Sequence, residues 1–552
     1  MKKLISIDIG STYTKGVLFL YFENESIDEV YLETNRINKL YINGIFNSLI
    51  IPINRAQVPT TTNHLADGFF EVLSELLSET KINGKFINQN NIEIKGKEEE
   101  KNNDIEVFYS SSAKGGLNIV AIGIVPELTL KTAKLTALSA GGKVTKAYSY
   151  RLNKKNIKEI DQINPDIILF TGGTDGGNEE INIHNAKMLS SLSIRPVILY
   201  AGNQSCSDEV YEILSLSNFD IKVTENVLPE IDKINIEPAK DCIRDIFLKK
   251  IIHGKGLDQI VDKIGFYPEP TPLSVFNFIS VIPDNVKKIK GLLQKSTIVQ
   301  NNIKENAYYE NITKLLNKNW ESFIAIDMGG ATTDFYSYHK DKIEDSNVLL
   351  RGLSEPTVKR TVEGDLGMRV SAKAVLESGM ELLKIISKDN IINIEENDFI
   401  DIFSNYIDKI HENPSYIPEN DEEQYFDRII ATICIRLSSL RHAGKYKRIF
   451  TVNGEKLIQY GKNLRHVKTL IGSGGYLSRM NDMFLKNFLT FSYENFFNKD
   501  SYYEVDEEIP LLPESIDYLK DKEYYLPILA NVARKYPLES VLCFIENLEV
   551  YD

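Results

Sequence analysis

Two short stretches, more than three hundred residues apart, carry the same succession of residue types. The first runs Ile7-Asp8-Ile9-Gly10-Ser11-Thr12-Tyr13-Thr14-Lys15, the second Ile326-Asp327-Met328-Gly329-Gly330-Ala331-Thr332-Thr333-Asp334. Each puts an aspartate at the end of an apolar run, a glycine two places on, and small hydroxyl residues in the turn. Polyphosphate chemistry asks for this set. Glycines let backbone N–H groups approach phosphate oxygens, and Ser or Thr hydroxyls add donors. A carboxylate at a strand end can hold Mg²⁺ through its waters, and Lys15 can meet phosphate as a point charge. Two such loops facing each other would clamp a nucleotide, with charge placement carrying most of the catalysis. A lone turn of this type is usually only a hairpin. The weight comes from the pair, and from a third glycine turn, Gly472-Ser473-Gly474-Gly475, after the apolar run Thr469-Leu470-Ile471. The patterns GxxxxGK[ST] and strand-GxGxxG are both absent.

Each loop needs strands to hold it. Residues 4–7 and 15–20 read as two strands around the first turn, and residues 323–327 and 334–338 do so around the second. A helical pattern covers 63–79, and an Asn- and Lys-rich excursion covers 80–104. From 127 the rhythm changes. A helix over 127–140 ends at Gly141-Gly142. Three apolar runs follow, at 166–170, 196–200 and 221–224, with helix-like stretches at 179–192 and 207–216 between them. This alternation implies a parallel sheet with covering helices. Its strand-end loops, above all Gly172, Gly173, Asp175 and Asn178, are where a partner or small molecule would sit; the plainer reading is ordinary turns. An amphipathic helix over 237–263, a polar helical stretch over 283–319 and a mostly helical 366–448 with an acidic loop at 411–424 complete the pattern. Residues 500–552 are Tyr-rich and mixed.

Composition narrows the classes. At 552 residues the chain should hold three or four folding units, and 42% hydrophobic with 26% charged residues is a globular balance. The net charge of −14 opposes binding of nucleic acid or an anionic membrane by the whole surface. Four scattered cysteines without a CxxC pair exclude a disulfide scaffold and a zinc ribbon. No uninterrupted apolar stretch is long enough to span a membrane. A cytoplasmic protein is expected; a homo-oligomer is left open.

The three loops in this order resemble the phosphate 1, phosphate 2 and adenosine motifs of the actin/Hsp70/sugar-kinase superfamily. Several longer blocks narrow the resemblance: Ser110-Ser111-Ser112-Ala113-Lys114-Gly115-Gly116, Thr171-Gly172-Gly173-Thr174-Asp175-Gly176-Gly177-Asn178, Tyr200-Ala201-Gly202-Asn203, Pro270-Thr271-Pro272, and Lys359-Arg360-Thr361-Val362-Glu363-Gly364-Asp365. Together these are similar to the glutamate mutase accessory proteins of the MutL/GlmL type, which are unrelated to mismatch-repair MutL. The resemblance implies an α/β fold with two RNase H-like lobes closing on ATP and Mg²⁺. Residues 1–126 would form the first lobe, 127–235 an inserted parallel α/β subdomain, 236–320 a helical connection completing the first lobe, and 321–552 the second lobe with a helical insert. Asp8 and Asp327 would support the metal and the attacking water. Gly10, Ser11, Thr12, Lys15, Gly329, Gly330, Thr332 and Thr333 would cradle phosphates, and Gly472, Gly474 and Gly475 would admit the base and ribose.

The function so implied is an ATP-dependent, chaperone-like reactivating factor for an adenosylcobalamin (B12)-dependent mutase, glutamate mutase or an aminomutase. The alternatives are a small-molecule kinase of the same superfamily, an actin-like scaffold ATPase, and a radical-enzyme activator, whose cluster cysteines have no counterpart here. Asp8 and Asp327 are expected in polar loops outside the core.

Overall fold

The computed structural model describes residues 2–23, 46–61, 63–78, 81–82, 85–86, 105–112, 117–231, 233–252, 256–295, 307–341, 347–388, 395–451, 454–480 and 508–551. Most of the 80–104 excursion, part of 23–58, residues 113–116 of the Ser-Ser-Ser block and residues 500–507 lie outside these.

Two sheets repeat one design. In the first, Lys2–Ile9 pairs antiparallel with Tyr13–Glu23, which pairs antiparallel with Ser48–Pro59. On its other side Lys2–Ile9 runs parallel to Ile105–Ser111, and that strand runs parallel to Glu269–Pro270. Numbered within the sheet, the order is 3-2-1-4-5. The second sheet has the same order and the same senses in Val358–Glu363, Thr333–Tyr338, Phe323–Met328, Thr469–Ser473 and Asp517–Asp521, with Leu548–Tyr551 added antiparallel at the edge. The fold is α/β, with the paired, mixed sheets that the sequence led us to expect. The unassigned C-terminal stretch supplies the last two strands.

Strand alternation explains how the two sheets stack. Successive residues point to opposite faces. Leu4 and Phe19 therefore join one apolar cluster, while Ile5, Ile7 and Ile9 join another with Phe69 and Val72 of helix Leu65–Ser78. In the second sheet Phe323 and Ala325 enter the same cluster as Leu4, and Ile324 and Ile326 face away. The shared cluster is filled by Val275 and Phe278 of helix Thr271–Lys295, Leu526 and Leu529 of Tyr525–Val532, and Phe544 of Pro537–Asn547. One core thus joins both sheets.

A third sheet is wholly parallel: Asn118–Ile122, Lys143–Tyr148, Ile167–Phe170, Val197–Tyr200 and Ile221–Val223, in the order 2-1-3-4-5. Its central run Ile167–Phe170 is buried throughout, as a parallel strand covered on both faces must be. Asn118–Ile122, expected in the first lobe, lies inside it between Lys143–Tyr148 and Ile167–Phe170, so this sheet starts before residue 127.

Several helices differ from expectation. The 127–140 helix opens as a π turn, Pro126–Leu130, before Lys131–Ser139. The 237–263 helix is two, Glu237–Ile252 and Leu257–Ile264. The acidic 411–424 stretch is only partly loop: Asn420 caps Asp421–His442, placing Asp421, Glu422 and Glu423 in the first turn, where the helix dipole favours negative charge. Lys445–Thr451 and Gly454–Tyr460 form an unanticipated hairpin. Among the described residues no helix is long and apolar enough to cross a membrane.

Candidate functional site

The two hairpins are built alike. Asp8 is the register partner of Lys15, and Asp327 that of Asp334. Each turn closes by a glycine N–H donating to a carbonyl three residues on, Gly10 to Tyr13 O at 3.1 Å and Gly329 to Thr332 O at 2.9 Å. A Cβ on Gly10 would stand 2.6 Å from that carbonyl oxygen, so the tight turn requires glycine there.

Both hairpins line one cavity of about 590 Å³ between the sheets. Asp8, Gly10, Ser11, Thr12 and Lys15 face it from one side, and Asp327, Gly329, Gly330, Thr332 and Asp334 from the other. From the third turn Gly475 reaches the cavity, followed by Tyr476 and Arg479. Gly472, Gly474 and Thr333 sit behind it. A Cβ on Gly472 would strike Tyr518, and Gly474, with φ +104°, packs on the backbone of Met328. The Thr333 hydroxyl donates to Leu366 O at 2.7 Å. These three fix the loops to one another rather than forming the wall.

The carboxylates are not in exposed polar loops, which corrects the sequence expectation. Asp8 is buried, and Oδ1 of Asp327 is enclosed without a hydrogen-bond partner. Both stand at the ends of central strands, on the wall of the cavity. The Asp8 carboxylate accepts from the Thr271 hydroxyl at 2.6 Å and from Ser110 at 3.3 Å. Burial raises its pKa, and Thr271, Lys15 and Ser110 pull it back. Burial also pushes Asp327 up, to about 8, helped by the negative charges of Asp334 and Asp8 and opposed by Lys15. Lys15 is lowered by burial and held up by Asp8 and Asp327. Its ammonium lies 3.5 Å from the ring centroid of Tyr524, a cation–π contact. Asp334 is matched by the buried Arg360, whose Nη2 and Nε lie 2.6 and 2.9 Å from its Oδ1.

An acidic pair with an orphaned oxygen at a wall of backbone N–H groups fits a hard cation carried by a polyphosphate. Among the described residues no group of three or more His, Cys, Asp or Glu side chains is placed to hold a metal. A cation here would therefore keep waters and ligand oxygens in its shell, as Mg²⁺ commonly does.

Arg360 also leaves the site. Its Nη1 donates to Leu138 O at 2.8 Å and to Gly142 O at 3.2 Å, the carbonyl end of helix Lys131–Ser139 that leads into the third sheet. Nearby, Lys131 pairs with Glu355 at 2.8 Å. The second hairpin and the helix leading into the third sheet are thus tied through the Arg360 guanidinium, with Lys131 beside it.

The insert's strand-end loop is self-contained. Asp175 accepts from Gln204 N at 3.0 Å and Asn226 Nδ2 at 2.9 Å, Asn178 accepts from Ile181 N at 3.0 Å, and Gly172 O accepts from Asn182 Nδ2 at 3.0 Å. Gly173 turns with φ +69°. The crevice between the first and third strands, where such sheets bind ligands, is filled by the chain's own turn: Thr129 Oγ1 accepts from the N–H groups of Ile124 and Val125 at 2.8 and 3.0 Å. None of Gly172, Gly173, Asp175 or Asn178 borders the main cavity.

Glu363 and Asp365 are held by Arg441 at 2.8 and 2.7 Å. His442 is wedged between Ser337 and Thr361, and Cys434 is a buried core residue. Sequence reasoning missed Thr271, Arg360 and Tyr524 as site residues. Thr271 and Arg360 lay inside recognised blocks but carried no role, and Tyr524 had no signal at all.

The family model described as MutL protein matches residues 4–294 and 284–548. The chain is 34% identical over 542 residues to Protein MutL of Clostridium tetanomorphum, covering 98% of each. Among solved structures, the Aquifex aeolicus Ppx/GppA phosphatase aligns at 9% identity over 99% of this chain and 91% of that one, with a TM-score of 0.20, too low to carry an argument. On the strength of the first two matches, the chain belongs to the MutL family of glutamate mutase accessory proteins.

Proposed function

We propose that this accessory protein is a cytoplasmic ATPase that reactivates an adenosylcobalamin-dependent mutase, glutamate mutase or an aminomutase. The observation that carries the reading is the shared cavity: Asp8 and Asp327, from separate sheets, face the same space. Backbone N–H groups at 11–12 and 330–332, with the hydroxyls of Ser11, Thr12 and Thr332, would bind the phosphates, and Lys15 would offset their charge. A Mg²⁺ ion, held through its waters by Asp8 and Asp327, would supply positive charge against the triphosphate. Asp8, fixed by Thr271, and Asp327 would hold its waters and orient the attacking water.

Coupling has a route through Arg360. A nucleotide that shifts the second hairpin changes Asp334, hence the guanidinium, hence the end of helix Lys131–Ser139. Work on a client requires the two nucleotide states to differ in their affinity for it. The test mixes the protein with mutase carrying an inactivated cobalamin, with and without Mg-ATP, and follows free cobalamin. Release that needs ATP supports the reading. ATP consumed only with phosphorylation of a small acceptor would make the protein a kinase, and ATP-dependent sedimentation without release would make it a scaffold.

A further inference from the structure

A second cavity, of about 550 Å³, adjoins the first. Lys15, Gln57, Gly475, Arg479 and Tyr524 border both, so they form the partition between them. Its core is the Lys15 ammonium resting on the Tyr524 ring. The two spaces differ in charge balance. The first sets Asp8, Asp327 and Asp334 beside Lys15, Arg360 and Arg369. The second presents four cations, Lys15, Arg55, Arg479 and Lys522, against one acid among the described residues, Glu523. That acid is engaged by Arg55. In a chain of net charge −14, such a concentration of positive charge runs against the average surface.

A small anion freed beside Asp8 and Asp327 meets, across the partition, a space with four cations to one acid among the described residues. Lys and Arg donors around a wet concavity suit the three or four oxygens of a tetrahedral oxyanion. The lining also holds Val17, Ala56, Ile528 and the ring of Tyr524. We propose that this second cavity binds inorganic phosphate, receiving it after it is cut from the nucleotide. The inference rests on the ATPase reading for the origin of the phosphate, but the site itself can be tested without it.

Arg55 and Lys522 border the second cavity and not the first, and their side chains are 60% and 41% exposed, so replacing them should leave the fold intact. The full chain, with Mg-ADP, is titrated with inorganic phosphate by calorimetry, and the Arg55→Gln/Lys522→Gln variant is treated in parallel. The expected result is phosphate binding weakened at least about tenfold in the variant, with ATP affinity unchanged, and recovery in Arg55→Lys/Lys522→Arg. In a single turnover, ADP formation should keep its rate while phosphate appears about fivefold later or more. Equal phosphate affinity in wild type and variant, or no phosphate binding by wild type, overturns the proposal. Phosphate binding that depends on Arg55 and Lys522 in a chain that binds no nucleotide would keep this site and reject the ATPase reading. ATP turnover without such binding would do the reverse.

Discussion

Asp334 stands directly across its hairpin from Asp327, in the place where Lys15 faces Asp8 in the other sheet. One backbone design therefore sets opposite charges across the first hairpin and two like charges across the second. The second arrangement is tolerable because Arg360, on the next strand, matches Asp334. Burial, with the charges of Asp334 and Asp8 added, raises the pKa of Asp327 against the pull of Lys15.

Asp8→Ala and Asp327→Ala should each abolish ATP-dependent cobalamin release, with ATP hydrolysis falling at least about 100-fold. Far-ultraviolet circular dichroism should stay near wild type. Normal rescue of the mutase by either variant would remove the catalytic cleft from this cavity.

Asp327→Asn should stabilise the free protein at neutral and mildly alkaline pH. Unfolded, the carboxyl titrates near 3.8, and folded near 8. Between those values the folded chain holds a proton that the unfolded chain has lost. Stability therefore falls as pH rises across that window, and the contribution is flat above it. The variant escapes this loss, so at pH 8 it should melt about 2 °C or more above wild type, with the gap closing toward pH 5. Mg-ATP should reverse the order, since binding adds stability only where the carboxylate can take part. Melting curves at the two pH values, with and without nucleotide, check both signs.

Arg360→Gln strands Asp334 and opens the contact to the insert. Loss of one member of a buried pair typically costs about 3–5 kcal/mol. Asp334→Asn added to it should recover part of that cost. If the guanidinium transmits nucleotide state, Mg-ATP should alter amide exchange in helix Lys131–Ser139 in wild type and not in the double variant. Identical nucleotide-dependent exchange in the two would dismiss the route.

Two glycines with left-handed backbones should respond differently to alanine. At Gly474 (φ +104°) a Cβ would lie 2.2 Å from Met328 O, while at Gly176 (φ +72°) nothing lies within 4 Å. Gly176→Ala should cost about 1 kcal/mol from backbone strain alone. Gly474→Ala should cost about 3 kcal/mol or more and weaken nucleotide binding, because the strand carrying Asp327 must move. Denaturant unfolding and ATP titration of both variants check the contrast.

The hairpins were legible because their chemistry is local: Asp, Gly and hydroxyl residues within nine positions specify a turn and its ligand class together. The parallel insert was legible from alternation. What escaped depends on distance. Thr271 reaches Asp8 across 263 positions, and no periodicity announces that. Arg360 has a meaning only once Asp334, Leu138 and Gly142 surround it. The depth of Asp8 and Asp327 was misjudged because polar residues near glycines usually mark surface, whereas here two sheets close over the turn ends. Tyr524 took no part in any recognised block, and its role depends on Lys15 from the second strand of the chain.

Helix Tyr525–Val532 is welded to the opening strand: Ser6 donates to Ile528 O at 2.7 Å, and Asn531 donates to Ile7 O at 3.3 Å and Ser110 Oγ at 3.1 Å. The Ser6–Ile528 bond joins residues 522 positions apart. On a ribosome adding about 5–20 residues per second, the first strand waits roughly 26–104 s for that helix to be made. The emerging polypeptide must keep its leading sheet half-covered for that whole interval, and the packing behind Asp8 is complete only once that helix is made.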